Sequence, residues 1–162
     1  MKLDAIDRKI LQILQGEGRI TNAALAKQAG ISPPAMLDRV KRLEAAGVIA
    51  GFVALVDPDQ VGVGVIAFVR VSLNAHQLPN VEAFSEKILA MEEVLECHQL
   101  SGPDDYLLKV ALKSVKDYGD FAFKKLSTIE GVHSINSSFV LGTLKYRTAF
   151  PPEFMEAFQE KN

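Results

Sequence analysis

The chain has 162 residues, and its proportions of hydrophobic residues, 48%, and charged residues, 23%, are ordinary for one large or two small globular domains. No stretch approaches the roughly 20 apolar residues of a membrane span, and residues 1–14 lack the apolar core of an export signal, so we expect a cytoplasmic protein. The net charge of −2 is uneven: residues 1–56 carry eight Lys and Arg against five Asp and Glu, or +3, which favours a nucleic-acid-binding segment on an acidic remainder of −5.

The first predicted helix extends from Asp4 to about Gln15. Its aliphatic side chains recur at helical spacing and form one stripe, whereas Asp7, Arg8 and Lys9 fall outside that stripe. Asp4 is a suitable N-cap, and the glycine that follows Gln15 can end the helix. These residues therefore predict an amphipathic helix whose charged side chains lie off its apolar face.

Two further helices follow in close succession. Thr21 is a good N-cap for a short helix, Asn22–Ala29, and Gly30 can end it in the left-handed conformation. Ser32 caps the next helix, Pro33–Ala46, whose first residue needs no N–H donor. Two helices joined by a short turn that contains glycine form the helix-turn-helix pattern, which is typical of DNA-binding proteins.

The third helix has a core face and an outer face. Met36, Val40 and Leu43 lie on one stripe, which must pack on the first two helices. The other side would meet the major groove of DNA. The predicted DNA-binding residues on or beside that outer side are Ser32, Pro34, Ala35, Asp38, Arg39, Lys41 and Arg42.

Each polar group on this side has a possible role. Arg39 and Arg42 would contact phosphate or guanine, and Asp38 would accept a hydrogen bond from a cytosine amino group. The small residues Pro34 and Ala35 would permit close approach. The alternative is a solvated polar face on which Asp38 and Arg42 form an ion pair within the helix.

The rest of the chain predicts a ferredoxin-like domain. Val48–Val56 is rich in β-branched residues and predicts a strand that leads into a hinge, residues 57–62. The next elements follow the order β-α-β-β-α-β, which is the ferredoxin-like arrangement. The predicted strands are 63–73, 94–100, 106–112 and 132–141, and the predicted helices are 81–91, one marked by apolar residues from 118 to 129, and a short terminal helix at 151–158.

The fold class is therefore α+β. It comprises an N-terminal winged-type helix-turn-helix domain, residues 1–56, and a C-terminal ferredoxin-like βαββαβ domain, residues 63–162. Such a sheet has helices on one face only, and the strand at 63–73 is largely apolar on both faces, so the open face predicts a homodimer. The N-terminal domain is small enough that contact with a partner through the first helix or the Val48–Val56 strand would stabilise it.

Several sequence motifs occur together in both halves of the chain. The first half contains Leu3-Asp4-x-x-Asp7-Arg8-Lys9-Ile10-Leu11, Gly18-Arg19-Ile20, Ile31-Ser32-Pro33 and Arg39-Val40-x-Arg42-Leu43-x-x-x-Gly47. The second half contains Val94-Leu95-Glu96-Cys97-His98, Gly102-x-x-Asp105-Tyr106-Leu107-Leu108-Lys109-Val110 and Gly131-Val132. In their order and extent these motifs resemble the leucine-responsive regulator (Lrp)/AsnC family, the feast/famine transcription regulators of bacteria and archaea.

The resemblance implies a transcription regulator that binds double-stranded DNA and is modulated by a small molecule. It implies dimers formed through the ferredoxin-like (RAM) domains, often assembled into tetramers or octamers, with an amino acid bound near the Gly102-x-x-Asp105 turn between dimers. The effector-site candidates carried over are Ser101, Gly102, Asp104 and Asp105, with Asn136, Ser137 and Ser138 on an opposing strand. Free backbone N–H groups in the turn suit a carboxylate, and either aspartate suits an ammonium group.

Three residues depart from the family pattern. Pro34-Ala35 replaces the commoner Thr-Pro, and Asp38 stands where a basic or neutral residue is frequent. The operator sequence therefore cannot be taken from relatives. Pro103 stiffens the effector turn and removes one donor N–H, so the ligand is not fixed by the resemblance either.

Two other functions are compatible with this fold. A sensor or corepressor-like protein without DNA binding would explain Asp38, and a sirohaem-decarboxylase-like enzyme would need convergent His, Arg and Tyr residues around a tetrapyrrole. The histidines, His76, His98 and His133, are scattered, and Cys97 has neither a disulfide partner nor a metal-ligand neighbour. We therefore expect no enzyme, no catalytic residues, no metal and no cofactor beyond an amino-acid effector.

Overall fold

The computed structural model describes residues 2–74 and 78–156. The chain divides into two compact units. We call Met1–Leu55 together with Lys145–Asn162 the helical unit, and Val56–Leu144 the sheet unit. This grouping differs from the predicted domain limits at the C-terminal end, because the residues after 144 group with the helical unit; there the Phe150 N–H donates to Gln15 Oε1 over 2.7 Å.

The helical unit contains the predicted helix-turn-helix. Its helices are α1 Ala5–Gly16, α2 Asn22–Ala29 and α3 Pro33–Ala45, and α6 Pro152–Glu156 follows near the other end of the chain. The predicted caps are confirmed: Thr21 Oγ1 accepts from the Ala24 N–H and Ser32 Oγ accepts from the Ala35 N–H. Gly30, at φ 80°, ends α2 in the left-handed conformation, as predicted.

A small apolar core holds these helices together. The predicted stripe of α3 is confirmed, because Met36 and Leu43 are fully buried and Val40 packs beside them. These α3 residues meet Ile10 of α1 and Leu25 of α2. The outer side of α3 is thereby turned away from the core.

The strand predicted at Val48–Val56 is not formed in the described chain. A strand needs a hydrogen-bonded neighbour, and the ladders that the described residues form lie elsewhere, in the sheet unit. A short 3-10 turn, Pro58–Val61, follows, with the Asp57 side chain accepting from the Asp59 N–H. Val53 and Leu55 of this segment are exposed.

The sheet unit has the ferredoxin-like order that the sequence predicts. The strands are β1 Val65–Leu73, β2 Val94–Gln99, β3 Tyr106–Leu112 and β4 Val132–Phe139. In the described part of the unit they form one antiparallel sheet with the strand order β2-β3-β1-β4. The helices are α4 Leu78–Leu89 and α5 Val115–Asp120, and α5 continues through a π-helical turn, Phe121–Lys125, and a 3-10 turn, Leu126–Thr128.

The sheet has one covered face and one open face. Ala67, Val69 and Val71 of β1 are fully buried with Phe84 of α4 and Phe121 of the π turn, so both helices cover the same face. Their neighbours along β1 point the other way. The open face of the sheet therefore lies opposite the helix layer.

The open face is more polar than predicted. On β1 it carries Phe68, which is 40% exposed, followed by Arg70. Register with the neighbouring strands adds Lys109 opposite Phe68, and Glu96 opposite Lys109. The apolar residues of β1 therefore lie beside charged residues that belong to β3 and β2.

Candidate nucleic-acid interface and effector site

The outer face of α3 is accessible. The predicted residues Ser32, Pro34, Ala35, Asp38 and Lys41 are all exposed. Sequence reasoning missed Leu37, which is 44% exposed and lies on the same side, one turn from Pro34 and from Lys41. A large aliphatic residue at an outer position, among small and polar residues, is the signal that identifies it. We call these six residues the α3 outer face.

The start of α3 is fixed by a side chain that the sequence did not single out. The Asn22 amide, at the beginning of α2, donates from Nδ2 to the Pro33 carbonyl over 3.0 Å. The bond joins residues that are 11 positions apart and spans the turn. Asn22 thus connects the first turns of α2 and α3.

Arg39 and Arg42 are engaged within the protein. Arg39 Nη1 lies 2.7 Å from Asp4 Oδ2 and 2.7 Å from Asp7 Oδ1. Arg42 Nη2 lies 2.9 Å from each carboxylate oxygen of Asp7. Arg42 therefore pairs with Asp7 on α1, rather than with Asp38 on its own helix as the solvated-face alternative had it.

Asp7 does not lie with the solvent-exposed charges of α1. Its side chain is only 1% exposed, because the two guanidinium groups and the helix start enclose it. Asp4 and Asp7 also form a reciprocal capping box, with the Asp7 N–H 2.8 Å from Asp4 Oδ1 and the Asp4 N–H 3.2 Å from Asp7 Oδ2. The two aspartates in the Leu3-Asp4-x-x-Asp7 motif are the signal for the box, but not for the arginines.

These contacts perturb two ionisable groups. The Asp7 N–H, and then the Arg39 guanidinium, lower the pKa of the Asp4 carboxyl. The same carboxylate, and then Asp7, raise the pKa of Arg39. Both groups of the Asp4–Arg39 pair are therefore charged throughout the physiological range.

The predicted effector turn joins β2 to β3, and its two aspartates are partnered. Asp105 Oδ2 accepts from the Leu73 N–H over 2.7 Å, and the Asp105 N–H donates to the Val71 carbonyl over 3.0 Å. Asp104 Oδ1 accepts from Ser72 Oγ over 3.2 Å, and its Oδ2 lies 3.6 Å from Arg70 Nε. Asp105 thus anchors the turn to β1, and Asp104 forms an ion pair beside it.

The three candidates on β4 are not brought together on one face. Asn136 pairs in register with Arg70, and Ser138 with Phe68, so both lie on the open face. Ser137 faces the helices, where its hydroxyl is hydrogen-bonded to the Tyr118 hydroxyl. Ser137 therefore lies on the other side of β4 from Asn136 and Ser138, because successive side chains of a strand point to opposite sides.

Polar groups lie close together near the C-terminal end of β1, beside the turn that joins β2 to β3. Arg70 and Ser72, which sequence reasoning did not include, lie beside Asp104 and across from β4. Ser101 and Gly102 are exposed in the turn itself. We call Arg70, Ser72, Asp104 and Asn136 the open-face cluster. A guanidinium, a carboxylate and an amide are suitable partners for the two charged ends of an amino acid.

A second group of charges lies on the same face. Glu96 accepts from Lys109 Nζ over 2.8 Å and lies 3.2 Å from His98 Nε2. Lys109, and then His98, lower the pKa of Glu96. This group pairs β2 with β3 across the ladder.

The described residues contain no group of three or more His, Cys, Asp and Glu side chains arranged to hold a metal ion. His76 lies outside the described residues, and Cys97 is exposed on β2, where the sequence predicts a strand residue. None of the helices in the described parts of the chain combines the length and apolar character needed to cross a membrane.

Two family profiles match the chain. The Lrp/AsnC ligand binding domain matches residues 66–150, and a winged helix-turn-helix DNA-binding domain matches residues 3–50. The leucine-responsive regulatory protein of Klebsiella pneumoniae is 38% identical over 143 residues, which cover 88% of this chain and 87% of that protein. The protein of the same name from Rhizobium meliloti is 37% identical over 145 residues, 90% of this chain and 93% of that protein.

Solved structures give the same result. A transcriptional regulator from Neisseria meningitidis, crystallised in complex with L-Met, has a TM-score of 0.89 and 37% sequence identity over 94% of this chain and 99% of its own. Escherichia coli AsnC has a TM-score of 0.82 and 31% identity over 92% of this chain and 99% of its own. These relatives are regulators and not enzymes, which confirms the prediction that this chain is not an enzyme.

The predicted α+β fold, the helix-turn-helix and the family resemblance are thus confirmed together. The profile of the ligand binding domain alone covers more than half of the chain. This chain belongs to the Lrp/AsnC family of transcriptional regulators, with a winged helix-turn-helix DNA-binding domain and an Lrp/AsnC ligand-binding domain.

Proposed function

We propose that this regulator binds double-stranded DNA through the α3 outer face, as a cytoplasmic homo-oligomer whose assembly responds to an amino acid bound at the open-face cluster. The observation that carries the DNA contact is the accessibility of the α3 outer face, opposite a stripe in which Met36 and Leu43 are fully buried. A helix held in this way can enter a major groove without unfolding its core. Lys41 supplies an exposed cation on this face.

The DNA contact is tested by its salt dependence. Each phosphate neutralised by a cation contributes a slope of about −0.9 to log K against log salt. Lys41→Ala should make the slope of the wild-type protein shallower by about that amount on a duplex selected from a random library. Lys116→Ala, an exposed lysine of the sheet unit, is the matched control and should leave the slope unchanged. If the wild-type protein binds no duplex, a sensor without DNA binding is the better description.

An amino-acid effector is supported by the chemistry of the open-face cluster and by the L-Met complex of the Neisseria meningitidis relative. In the proposed mode, the ligand carboxylate accepts from Arg70 and from the backbone N–H groups of Ser101 and Gly102, which are exposed residues of the turn. Its ammonium group lies against Asp104, which gives up part of its contact with Arg70. Asp105 has a positioning role, because its carboxylate is bound to the Leu73 N–H.

A thermal-shift screen of the amino acids tests this site. A ligand at about 100 times its Kd should stabilise the wild-type protein by about 2.7 kcal/mol. Asp104→Asn should abolish most of that shift. Asp120→Asn, which removes an exposed carboxylate paired with Lys124 on α5, should retain it. Equal shifts in Asp104→Asn and wild type would mean that the ligand binds at another site. No shift with any amino acid would refute the proposal that this protein senses amino acids.

Homodimerisation is supported by the open face of the sheet. Phe68 is 40% exposed at its centre, between Lys109 on one neighbouring strand and Ser138 on the other. A second copy of the same face would cover Phe68 and meet the charged groups around it, as the self-complementary interface of a twofold dimer requires. A dimer presents two recognition helices, whose separation must match half-sites about 34 to 36 Å apart. A ligand that changes how dimers assemble therefore changes which sites can be occupied together.

A further inference from the structure

The carboxylate of Asp7 is the point at which α1 holds the recognition helix. It accepts from Arg39 Nη1 at 2.7 Å and from Arg42 Nη2 at 2.9 Å, although these arginines lie 32 and 35 positions further along the chain. The Asp7 side chain is 1% exposed, whereas the Arg39 and Arg42 side chains are 24% and 51% exposed. The buried centre of the contact is therefore the acid, with both bases reaching in from α3.

Two features make this contact rigid. The capping box fixes the Asp7 backbone, because its N–H donates to Asp4 while its side chain accepts from the Asp4 N–H. Arg39 and Arg42 are three residues apart on α3, so one carboxylate restrains two successive turns of that helix. Two attachment points fix the rotation of α3 about its axis as well as its distance from α1.

Rotation decides which side chains meet DNA. At about 100° per residue, side chains three or four positions apart differ by about 40–60° around the helix, so a rotation of that size would replace Pro34 and Lys41 by their neighbours at the groove. We propose that Asp7 is a positioning residue for DNA recognition: by holding Arg39 and Arg42 it sets the angle of the α3 outer face and withholds both guanidinium groups from the phosphates. The proposal rests on the proposed function, in which that face enters the groove.

This assignment changes the expected role of the two arginines. The guanidinium groups of Arg39 and Arg42 face the carboxylates of Asp4 and Asp7, two positive charges against two negative ones, so this group releases no counterions when DNA binds. The salt dependence should then come from cations such as Lys41, and Arg39 and Arg42 should affect sequence discrimination instead. Removing an arginine should therefore make the salt slope shallower if that arginine contacts phosphate, and should leave the slope unchanged if the arginine only positions α3.

The experiment compares full-length wild type with Asp7→Asn, which preserves size and removes the charge. Affinity is measured on a duplex selected by the wild-type protein and on an unrelated duplex, from about 50 to 200 mM salt, at a temperature where circular dichroism shows both proteins folded. Asp7→Asn should lower the ratio of the two affinities at least tenfold and steepen the slope by about 0.9, because Arg42 is freed to reach a phosphate while Arg39 remains paired with Asp4. Glu17→Gln is the matched control, because it removes an exposed carboxylate at the end of α1, whereas the carboxylates that contact Arg39 and Arg42 in the described chain are those of Asp4 and Asp7.

Arg42→Gln provides a second variant if Asp7→Asn does not fold. Its salt slope should equal that of wild type, with a reduced affinity ratio. A slope shallower by about 0.9 would mean that Arg42 contacts phosphate, and this would overturn the proposal. An unchanged slope and ratio in Asp7→Asn, even with a lower Tm, would reduce Asp7 to a stabilising residue. Wild-type binding in that case leaves the proposed function standing, whereas no binding by wild type refutes both.

Discussion

At the scale of single residues, Asp7 makes one set of contacts within α1, to Asp4, and another set with α3, to Arg39 and Arg42. Its part in the capping box follows from the spacing of two aspartates, because a cap involves residues three positions apart. Its pairing with Arg39 and Arg42 depends on how α1 and α3 pack. On the sequence alone, the helical pattern puts Asp7 off the apolar stripe, and in the structure it is buried by polar partners. Periodicity cannot distinguish those two situations.

The double variant Arg39→Ala/Arg42→Ala tests this pairing through stability. It leaves the Asp7 carboxylate without its two cations, and an uncompensated buried charge costs about 3–5 kcal/mol of unfolding free energy. Arg42→Ala alone should cost about 1 kcal/mol or less, since Arg42 is half exposed and Arg39 remains. The measurement is denaturant unfolding, with Lys41→Ala as the control. Equal stabilities for the double variant and the control would show that the pairing contributes nothing.

At the scale of elements, close packing places demands that composition does not reveal. Gly64 precedes β1 and donates its N–H to the Leu112 carbonyl over 3.0 Å. A Cβ at position 64 would lie 2.2 Å from the Lys113 carbonyl oxygen, which is a backbone atom. Gly119, within α5, has open space where its Cβ would be. The two glycines are indistinguishable in the sequence, but only one is required by its neighbours.

Gly64→Ala and Gly119→Ala should therefore change stability in opposite directions. Alanine at 64 forces the start of β1 away from Lys113, at a cost of about 1–3 kcal/mol. Alanine at 119 should stabilise α5 by roughly 0.5–1 kcal/mol, because glycine is the poorer helix former. Thermal and denaturant unfolding of both variants measure the difference. If Gly64→Ala were as stable as wild type, the backbone at Lys113 would have to move away from position 64 without a cost in free energy.

Element order was predictable, but the shape of some elements was not. Helix starts at Asp4, Thr21 and Ser32 follow from capping chemistry, which is local. An α-helical pattern was expected after α5, but a π-helical turn follows it. The sequence signal for that turn is the five-residue spacing between Phe121 and Leu126, which are both buried. The strand predicted at residues 48–56 has suitable residues, but strand formation also requires a neighbour, and no property of the segment itself supplies one.

At the scale of the whole molecule, the open face could be predicted to exist but not described. Its existence follows from the βαββαβ order, which places both helices on one side. Its composition depends on strand register, which brings Lys109 and Glu96 beside the apolar run of β1. The same holds for the candidate effector site. Asp104 was predicted from the sequence of the turn, whereas Arg70 and Ser72 lie beside it only because of the way the chain folds.

Phe68→Glu tests whether this face joins two subunits. The folded monomer should tolerate the change, because Lys109 lies opposite position 68, but a covered interface would have to bury the new charges. Light scattering should therefore give a multiple of 17.7 kDa for wild type and a single chain mass for the variant. Phe123→Glu is the matched control: that phenylalanine is 79% exposed in the π turn, so its variant should keep the wild-type mass. A wild-type mass for Phe68→Glu would place the interface elsewhere.

The pairing of Asp7 with α3 also limits how this protein can be re-engineered. A recognition helix is commonly regarded as a cassette that can be exchanged to give a regulator new operators. In this protein α3 cannot be exchanged alone from Ser32 onward. A donor helix without basic residues at positions 39 and 42 would leave the buried Asp7 carboxylate of α1 without these two partners. A successful graft has to transplant α1 together with α3, or replace Asp7 by a neutral residue in the same step.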